Sequence, residues 1–137
     1  MILIDTGPIV ALFDKDDKYH SPCINFIKKI REPLITTWSV ITESFYLLNF
    51  SWKVQDDLWT FLQRGGIEIY PLDKEQYTPC RELMEQYQNL PMDLADATLV
   101  ITANILGISQ IFTLDHKDFS VYWFKERRRF TLIPSKI

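Results

Sequence analysis

Acidic residues in four separate parts of the chain could together carry out metal-dependent chemistry. Asp5 directly follows the apolar segment Met1–Ile4, and Asp115 directly follows a second apolar segment. Glu43 lies in a strongly apolar stretch, and Asp96 lies near the start of another. Carboxylates gathered in one cleft repel one another, and a hard divalent cation such as Mg²⁺ removes that cost. Because such a cation activates water and stabilises charge on a phosphodiester, the pattern favours a metal-dependent hydrolase.

Each of these acids also has an ordinary structural explanation. Asp5 could cap the helix that follows it, and Asp115 could form an Asx-turn after its strand. Asp93 could simply cap a helix that carries Asp96 in its favourable first turn. Glu43 could be an exposed helix residue, as most glutamates are. The argument for a shared site therefore depends on the joint pattern of two strand ends, one helix start and one apolar helix.

The histidines and cysteines argue against a zinc site and against disulfides. His20 and His116 do not have the spacing of zinc ligands, and we expect both at the surface. Cys23 and Cys80 belong to no CxxC pattern, which predicts reduced thiols in a cytoplasmic protein. The N-terminal apolar run is interrupted at Asp5, which is too early for a signal peptide. No stretch approaches the roughly 20 apolar residues of a membrane span.

Length and charge set further bounds on the function. The 137 residues fit one compact domain covering 1–137. The net charge of −3 argues against a protein whose whole surface wraps nucleic acid. The densest basic run, Lys125–Arg129, could contact RNA phosphates beside the acidic cleft, although a solvated loop or helix end is the simpler interpretation.

Predicted strands and helices alternate along the chain. Apolar patterns predict strands at Met1–Ile4, Leu34–Thr36, Ile67–Leu72, within Ile108–Leu114 and at Phe130–Ile133. Periodicity and capping residues predict helices at Ile9–Phe13 after Pro8, Tyr19–Arg31, Val40–Phe50, Trp52–Arg64, Asp73–Tyr87 with a restart near Pro79, and Asp93–Leu106. The alternation predicts a mostly parallel sheet covered on both faces. Ligands bind beyond the carboxyl ends of such strands, where Asp5 and Asp115 would project.

Four acidic segments resemble the motifs of PIN domains, in order and over nearly the whole chain. They are Ile4-Asp5-Thr6-Gly7-Pro8, Thr42-Glu43, Met92-Asp93-Leu94-Ala95-Asp96-Ala97 and Thr113-Leu114-Asp115. The most specific parts are Pro91–Gly107 and Thr113–Phe119. The resemblance is strongest to the small VapC-type ribonuclease toxins of type II toxin–antitoxin systems. Gly7 is a minor departure from the commoner polar or small side chain at that position.

The resemblance implies a fold, an activity and partners. The fold is an α/β/α sandwich of three layers around a mostly parallel sheet. The activity is Mg²⁺- or Mn²⁺-dependent endonucleolytic hydrolysis of RNA. The partners are a second copy in a homodimer and a cognate antitoxin. The aromatic residues of the middle helices are expected mostly in the core, while some could form a groove for such a partner; they include Trp38, Phe45, Tyr46, Trp52, Trp59 and Phe61.

The resemblance also implies roles for individual residues. The catalytic metal ligands would be Asp5, Glu43, Asp96 and Asp115. Thr6 and Thr113 would support the site as hydroxyl partners, and Asp93 would be an auxiliary ligand or a cap. Asp118 offers a further carboxylate, for which a solvated loop position is the simpler interpretation.

Two other functions fit parts of the pattern. A phosphatase could use Asp5 as its nucleophile, but haloacid dehalogenase-like folds place a second Asp two residues later, where this chain has Gly7. The chain could also be a PIN-like binding module without catalysis, although the presence of all four acids argues against that.

Overall fold

A five-stranded parallel sheet forms the centre of the structure, a computed structural model that describes residues 1–90, 92–124 and 128–135. The strands along the chain are β1 (Ile2–Ile4), β2 (Leu34–Thr36), β3 (Glu68–Ile69), β4 (Gln110–Phe112), β5 (Trp123–Phe124), β6 (Arg128–Arg129) and β7 (Thr131–Ile133). The central sheet has the order β3-β2-β1-β4-β7, with every neighbouring pair parallel. β5 and β6 form a separate antiparallel pair.

Seven α-helices and one 3₁₀-helix connect the described strands. They are α1 (Thr6–Phe13), α2 (His20–Ile27), α3 (Trp38–Leu47), α4 (Trp52–Gln63), a 3₁₀-helix (Lys74–Gln76), α5 (Tyr77–Gln86), α6 (Leu94–Leu106) and α7 (His116–Phe119). Among the residues that the structure describes, none of these helices has the length and apolar character needed to cross a membrane.

The central strand β1 is covered on both faces. Its consecutive residues Ile2, Leu3 and Ile4 point alternately to opposite sides of the sheet, and all three are buried. β1 also pairs with β2 on one edge and β4 on the other, so its backbone is enclosed as well. Helices therefore pack on both faces of the sheet, which confirms the predicted parallel sheet and the α/β/α architecture.

Three element boundaries differ from the predictions for identifiable reasons. α1 begins at Thr6 rather than Ile9, because Asp5 caps the helix. α2 ends at Ile27 rather than Arg31, because the next amides bond three residues back in tighter turns. β3 has two residues instead of six, because its partner β2 ends at Thr36 and the chain then enters α3 at Trp38.

The predicted helix Asp73–Tyr87 is divided in two. Asp73 caps the 3₁₀-helix, and the Oε1 atom of Gln76 accepts a hydrogen bond from the Asp73 backbone amide. α5 then restarts at Tyr77 and carries Pro79 in its first turn, as the restart near this proline predicted. α3 begins two residues earlier and ends three residues earlier than the predicted helix Val40–Phe50.

The strand pair β5–β6 was not predicted. It contains Arg128 and Arg129 from the basic run, and the Arg129 guanidinium donates to the backbone carbonyl of Val121. Lys125, Glu126 and Arg127, the other residues of the run for which a phosphate contact was predicted, lie outside the described residues.

The expectation that most aromatic residues of the middle helices lie in the core is wrong. Trp38 and Tyr46 are exposed, because α3 turns a different face, with Val40 and Ile41, toward the core. Trp52 and Trp59 on α4 are exposed as well. Phe45 and Phe61 are half-buried; Phe45 contacts the ring of Trp59 with centroids 4.6 Å apart, and Phe61 contacts Phe13 at 5.6 Å.

The cysteines and histidines lie deeper than surface residues would. Cys23 and Cys80 are buried free thiols, as predicted for reduced cysteines. Both histidines are half-buried rather than at the surface. The Nδ1 atom of His20 lies 2.7 Å from the carbonyl oxygen of Ala11, which anchors the start of α2 to α1.

Candidate active site

Three acids of the predicted site also begin helices. Asp5 caps α1 through a hydrogen bond from the Thr6 amide to Oδ1 at 2.8 Å. Asp93 caps α6 through the amide of Asp96, also at 2.8 Å, and Asp115 caps α7 through the amide of Asp118 at 3.1 Å. Each cap uses Oδ1, so a single carboxylate holds a helix start with one oxygen and has a second oxygen for other contacts. Asp5, Asp93 and Asp115 are therefore both helix caps and members of the predicted site.

The Thr113 hydroxyl connects two of these acids at the end of β4. It donates to Oδ2 of Asp5 at 3.1 Å and accepts a hydrogen bond from the Asp115 amide at 2.9 Å. Thr113 is fully buried, and the Asp5 amide bonds the Phe112 carbonyl across the same strand pair. The pairing of β1 with β4 thus places the carboxylates that follow the two strands side by side.

Glu43 reaches the site from the second turn of α3. Its Oε1 accepts a hydrogen bond from the Thr6 hydroxyl at 2.5 Å. The residues next to it on the buried side of α3, Val40 and Ser44, pack inward, while Glu43 itself stays half-buried. An acid in this apolar stretch therefore has a specific partner on α1.

Asp96 is the acid within α6, and its side chain is almost fully buried. It is 9% exposed, and its Oδ2 accepts a hydrogen bond from the Tyr122 hydroxyl at 3.0 Å. Tyr122 is itself fully buried and packs edge-to-face on Phe119 and Tyr87. The orientation of Asp96 is therefore fixed by a buried phenol rather than by the helix alone.

These side chains meet in one pocket of about 430 Å³. Its walls are formed by Asp5, Thr6, Gly7, Glu43, Asp93, Asp96, Leu114, Asp115 and Asp118. Thr113 supports the pocket through Asp5 and Asp115. Among the described residues, no lysine, arginine or histidine lines it. The structure thus brings all eight predicted site residues together, and no basic side chain of the described ranges lies in the pocket wall beside the acids.

Crowding and burial raise the pKa of two carboxyls far above the usual range. Burial, reinforced by the charges of Glu43 and Asp115, raises the pKa of Asp5 to about 6, against the opposing hydrogen bonds from Thr6 and Thr113. Burial, reinforced by Asp5 and Asp93, raises the pKa of Asp96 to about 8, although the Tyr122 hydrogen bond lowers it. Near neutral pH the metal-free pocket therefore keeps a proton on Asp96, whereas Asp5 is mostly ionised.

Asp118 does not take the solvated loop position that the sequence favoured. It is half-buried on α7 and lines the pocket, because the Asp115 cap folds the chain into a helical turn. Burial and the neighbouring Asp115 raise its pKa. Asp93, in contrast, is exposed at the rim, in agreement with a capping residue beside the site.

Tyr122 is the site residue that the sequence did not indicate. It lies 26 residues after Asp96 and follows no charged or periodic pattern. The nearest sequence signal is the spacing of Phe119 and Tyr122, three residues apart, which places two rings at the end of α7.

The donor set fits a divalent cation. Carboxylate oxygens are the ligands that Mg²⁺ and Mn²⁺ prefer. Burial and then the neighbouring acids raise the pKa values of Asp5 and Asp96, and a bound cation would favour the ionised form of both. Within the described part of the chain, no three acidic, histidine or cysteine side chains stand as a preformed metal site. The pocket therefore gathers the donors without closing them into a coordination sphere.

Comparison with known proteins gives a consistent result. The family model for the PIN domain matches residues 2–124. Ribonuclease VapC26 of Mycobacterium tuberculosis is 27% identical over 135 residues, which cover 97% of this chain and all of the relative. The crystal structure of Mycobacterium tuberculosis VapC20, described as a sarcin-ricin loop cleaving toxin, superposes with a TM-score of 0.75 at 16% identity and covers 85% of this chain and 92% of that one. From the match over most of its length, this chain belongs to the PIN domain family.

Proposed function

We propose that this protein is a divalent-metal-dependent endoribonuclease that acts in the cytoplasm as the toxin of a toxin–antitoxin pair. The observation that carries the proposal is the convergence of Asp5, Glu43, Asp96 and Asp115 in one pocket without a basic neighbour among the described residues. A group of acids that repel one another and hold raised pKa values is maintained at a cost to stability, which indicates a functional reason.

The four acids hold the cation, which is Mg²⁺ or Mn²⁺. When bound, the cation neutralises the pocket and supplies Lewis-acid stabilisation to a phosphodiester. Asp5 is fixed for this by Thr6 and Thr113, and Glu43 is fixed by the Thr6 hydroxyl. Asp96 must release its proton to take part, and the Tyr122 hydroxyl favours the ionised form.

RNA is the substrate that the relatives support. Ribonuclease VapC26 is named for RNA cleavage, and VapC20 is described as a toxin that cleaves the sarcin-ricin loop. The first relative matches nearly the whole of both chains, so the similarity includes the segments that form the pocket. The same relatives support a cognate antitoxin as partner.

A protein partner is also supported by the surface of the α3–α4 corner. Leu47, Phe50 and Trp52 are each about half or more exposed and follow one another closely in the chain. Grouped exposed apolar residues mark protein interfaces. We assign this corner to a homodimer contact, and sedimentation of the purified chain would test whether a dimer forms.

Incubation with total cellular RNA and Mg²⁺, followed by sequencing of new 5′ ends, tests the nuclease. We expect discrete new ends with the native chain, none after chelation with EDTA, and recovery with Mg²⁺ or Mn²⁺. Asp5→Asn and Asp96→Asn should abolish cleavage, because Asn keeps the shape of Asp but cannot supply a charged ligand. Asp56→Asn on the exposed face of α4 is the matched control and should cleave normally.

The same experiment separates the alternatives. Full cleavage by both active-site variants would refute the assignment. A native chain that binds Mg²⁺ but releases inorganic phosphate from phosphomonoesters, and is trapped by beryllofluoride, would be a phosphatase. A native chain with no detectable metal binding by calorimetry would be a binding module.

A further inference from the structure

An apolar cleft of about 590 Å³ continues directly from the carboxylate pocket. The two cavities share Glu43 and Asp93 as a common wall. The remaining walls of the cleft come from α3 and from the start of α6; they are Trp38, Ser39, Thr42, Tyr46, Leu94 and Ala95. A ligand in this cleft would therefore lie in contact with the edge of the proposed active site.

The α3 wall of the cleft presents two aromatic side chains to solvent. Trp38 is 56% exposed and Tyr46 is 71% exposed, and they lie eight residues apart on the same face of the helix, separated by about 12 Å along its axis. Thr42 lies between them, and its hydroxyl donates to the Trp38 carbonyl at 2.8 Å. Among the described residues, neither ring packs against another aromatic ring.

We propose that Trp38 and Tyr46 form a stacking platform for unpaired RNA bases next to the phosphodiester that the carboxylate pocket cleaves. The inference rests on the proposed nuclease function and adds a substrate class to it, namely RNA that is unpaired beside the cut. The platform sets specificity for single-stranded segments, since the faces of paired and stacked bases are covered in a duplex.

The chemistry of the cleft favours bases over a protein partner. Its apolar walls end on two carboxylates, Glu43 and Asp93, and a protein surface that covered the cleft would desolvate them. A nucleotide instead places its base against the apolar walls and its phosphate toward a cation held by the pocket. The volume also lies in the usual range for small-ligand sites.

The test compares RNA with and without bases. Trp38→Ala, Tyr46→Ala and the conservative Trp38→Phe would be measured beside Tyr77→Ala, an equally exposed tyrosine on α5 that lines neither cavity. Fluorescence anisotropy in Ca²⁺, a divalent cation that also takes carboxylate ligands, gives the affinity for a short oligoadenylate and for an abasic oligomer of equal length. The KM and kcat for cleavage of an unstructured RNA in Mg²⁺ are measured in parallel.

We expect the two alanine variants to bind oligoadenylate about tenfold more weakly, with a matching rise in KM, because stacking contributes this much per base. Affinity for the abasic oligomer should not change, and Trp38→Phe should retain most of the native affinity. Loss of the same size on both oligomers, or alanine variants equal to Tyr77→Ala, would overturn the platform. Conversion of Trp38→Ala from dimer to monomer with RNA binding intact would assign the cleft to a second copy and also overturn it.

The outcome for the platform is separate from the outcome for the nuclease. A native chain that binds oligoadenylate in preference to the abasic oligomer, yet cuts no RNA, would refute the nuclease and keep the platform. A native chain that cuts RNA with unchanged KM in both alanine variants would refute the platform alone.

Discussion

Replacement of Asp96 by Asn should stabilise the metal-free protein at neutral pH, although it removes a proposed metal ligand. Asp96 is buried near Asp5 and Asp93, and its pKa is raised from 3.8 to about 8. The unfolded chain releases this proton near pH 3.8, whereas the folded chain keeps it until about pH 8. Between these values the unfolded state binds fewer protons, so the native stability falls as the pH rises. Asn does not titrate, so the stability of the variant does not fall with pH for this reason.

The magnitude follows from the size of the shift. Roughly three pKa units lie between 3.8 and pH 7, and at about 1.36 kcal/mol per unit they amount to about 4 kcal/mol at most. Relaxation around the charge reduces this, and we expect about 2–4 kcal/mol. For a chain of this length, the melting temperature should rise by about 6–12 °C. The Asn side chain still accepts the Tyr122 hydrogen bond, so that contact is kept.

Thermal unfolding in EDTA from pH 4 to pH 8 measures this difference. The gap between Asp96→Asn and the native chain should be small at pH 4 and should widen toward pH 8. Asp56→Asn removes an exposed carboxylate and should stay within about 0.5 kcal/mol of native throughout. Saturating Mg²⁺ should narrow the stability difference, because the cation binds the native chain more tightly than it binds Asp96→Asn. A variant less stable than the native chain, or a gap that does not depend on pH, would refute the reasoning.

Two further predictions concern the partners of these acids. Thr113→Val should lower the free energy of unfolding by about 1–3 kcal/mol and should reduce cleavage, because it leaves buried Asp5 without its hydroxyl donor. Thr113→Ser should restore both stability and cleavage, as measured by denaturant titration and RNA cleavage. A fully active Val variant would contradict this prediction. Tyr122→Phe removes a hydrogen bond that lowers the Asp96 pKa, so about tenfold more Mg²⁺ should be needed for half-maximal cleavage near pH 7, with less difference at higher pH. A Phe variant with the native Mg²⁺ requirement at every pH would contradict the second prediction.

The sequence could predict the sheet and the strand ends because both leave local signals. Asp5 and Asp115 follow short apolar strands, and the capping positions of Asp93 and Gly107 frame α6 as expected. Parallel strands that meet at one edge are enough to bring such acids together. Element lengths were less predictable, since β3 ends after two residues where its partner strand β2 gives way to α3.

The rest could not be predicted because it depends on packing between distant segments. Tyr122 reaches Asp96 only through ring contacts with Phe119 and Tyr87. The exposure of Trp38 and Tyr46 also carried no signal, since α3 is apolar on more than one face and periodicity does not say which face meets the core.

The hydrogen bond between Thr113 and Asp5 joins residues 108 positions apart, and the pairing of β1 with β4 closes the same long loop. Contacts between such distant segments form slowly and late in folding, because the loop must close before they contribute. During translation, a growing chain therefore has Asp5 and Glu43 long before it has Thr113 or Asp115. Until β4 has been synthesised and paired, the carboxylates cannot meet in one pocket. The ribosome-bound fragment of this chain therefore lacks a complete carboxylate pocket for most of its synthesis, which leaves time for a partner to bind before the site is complete.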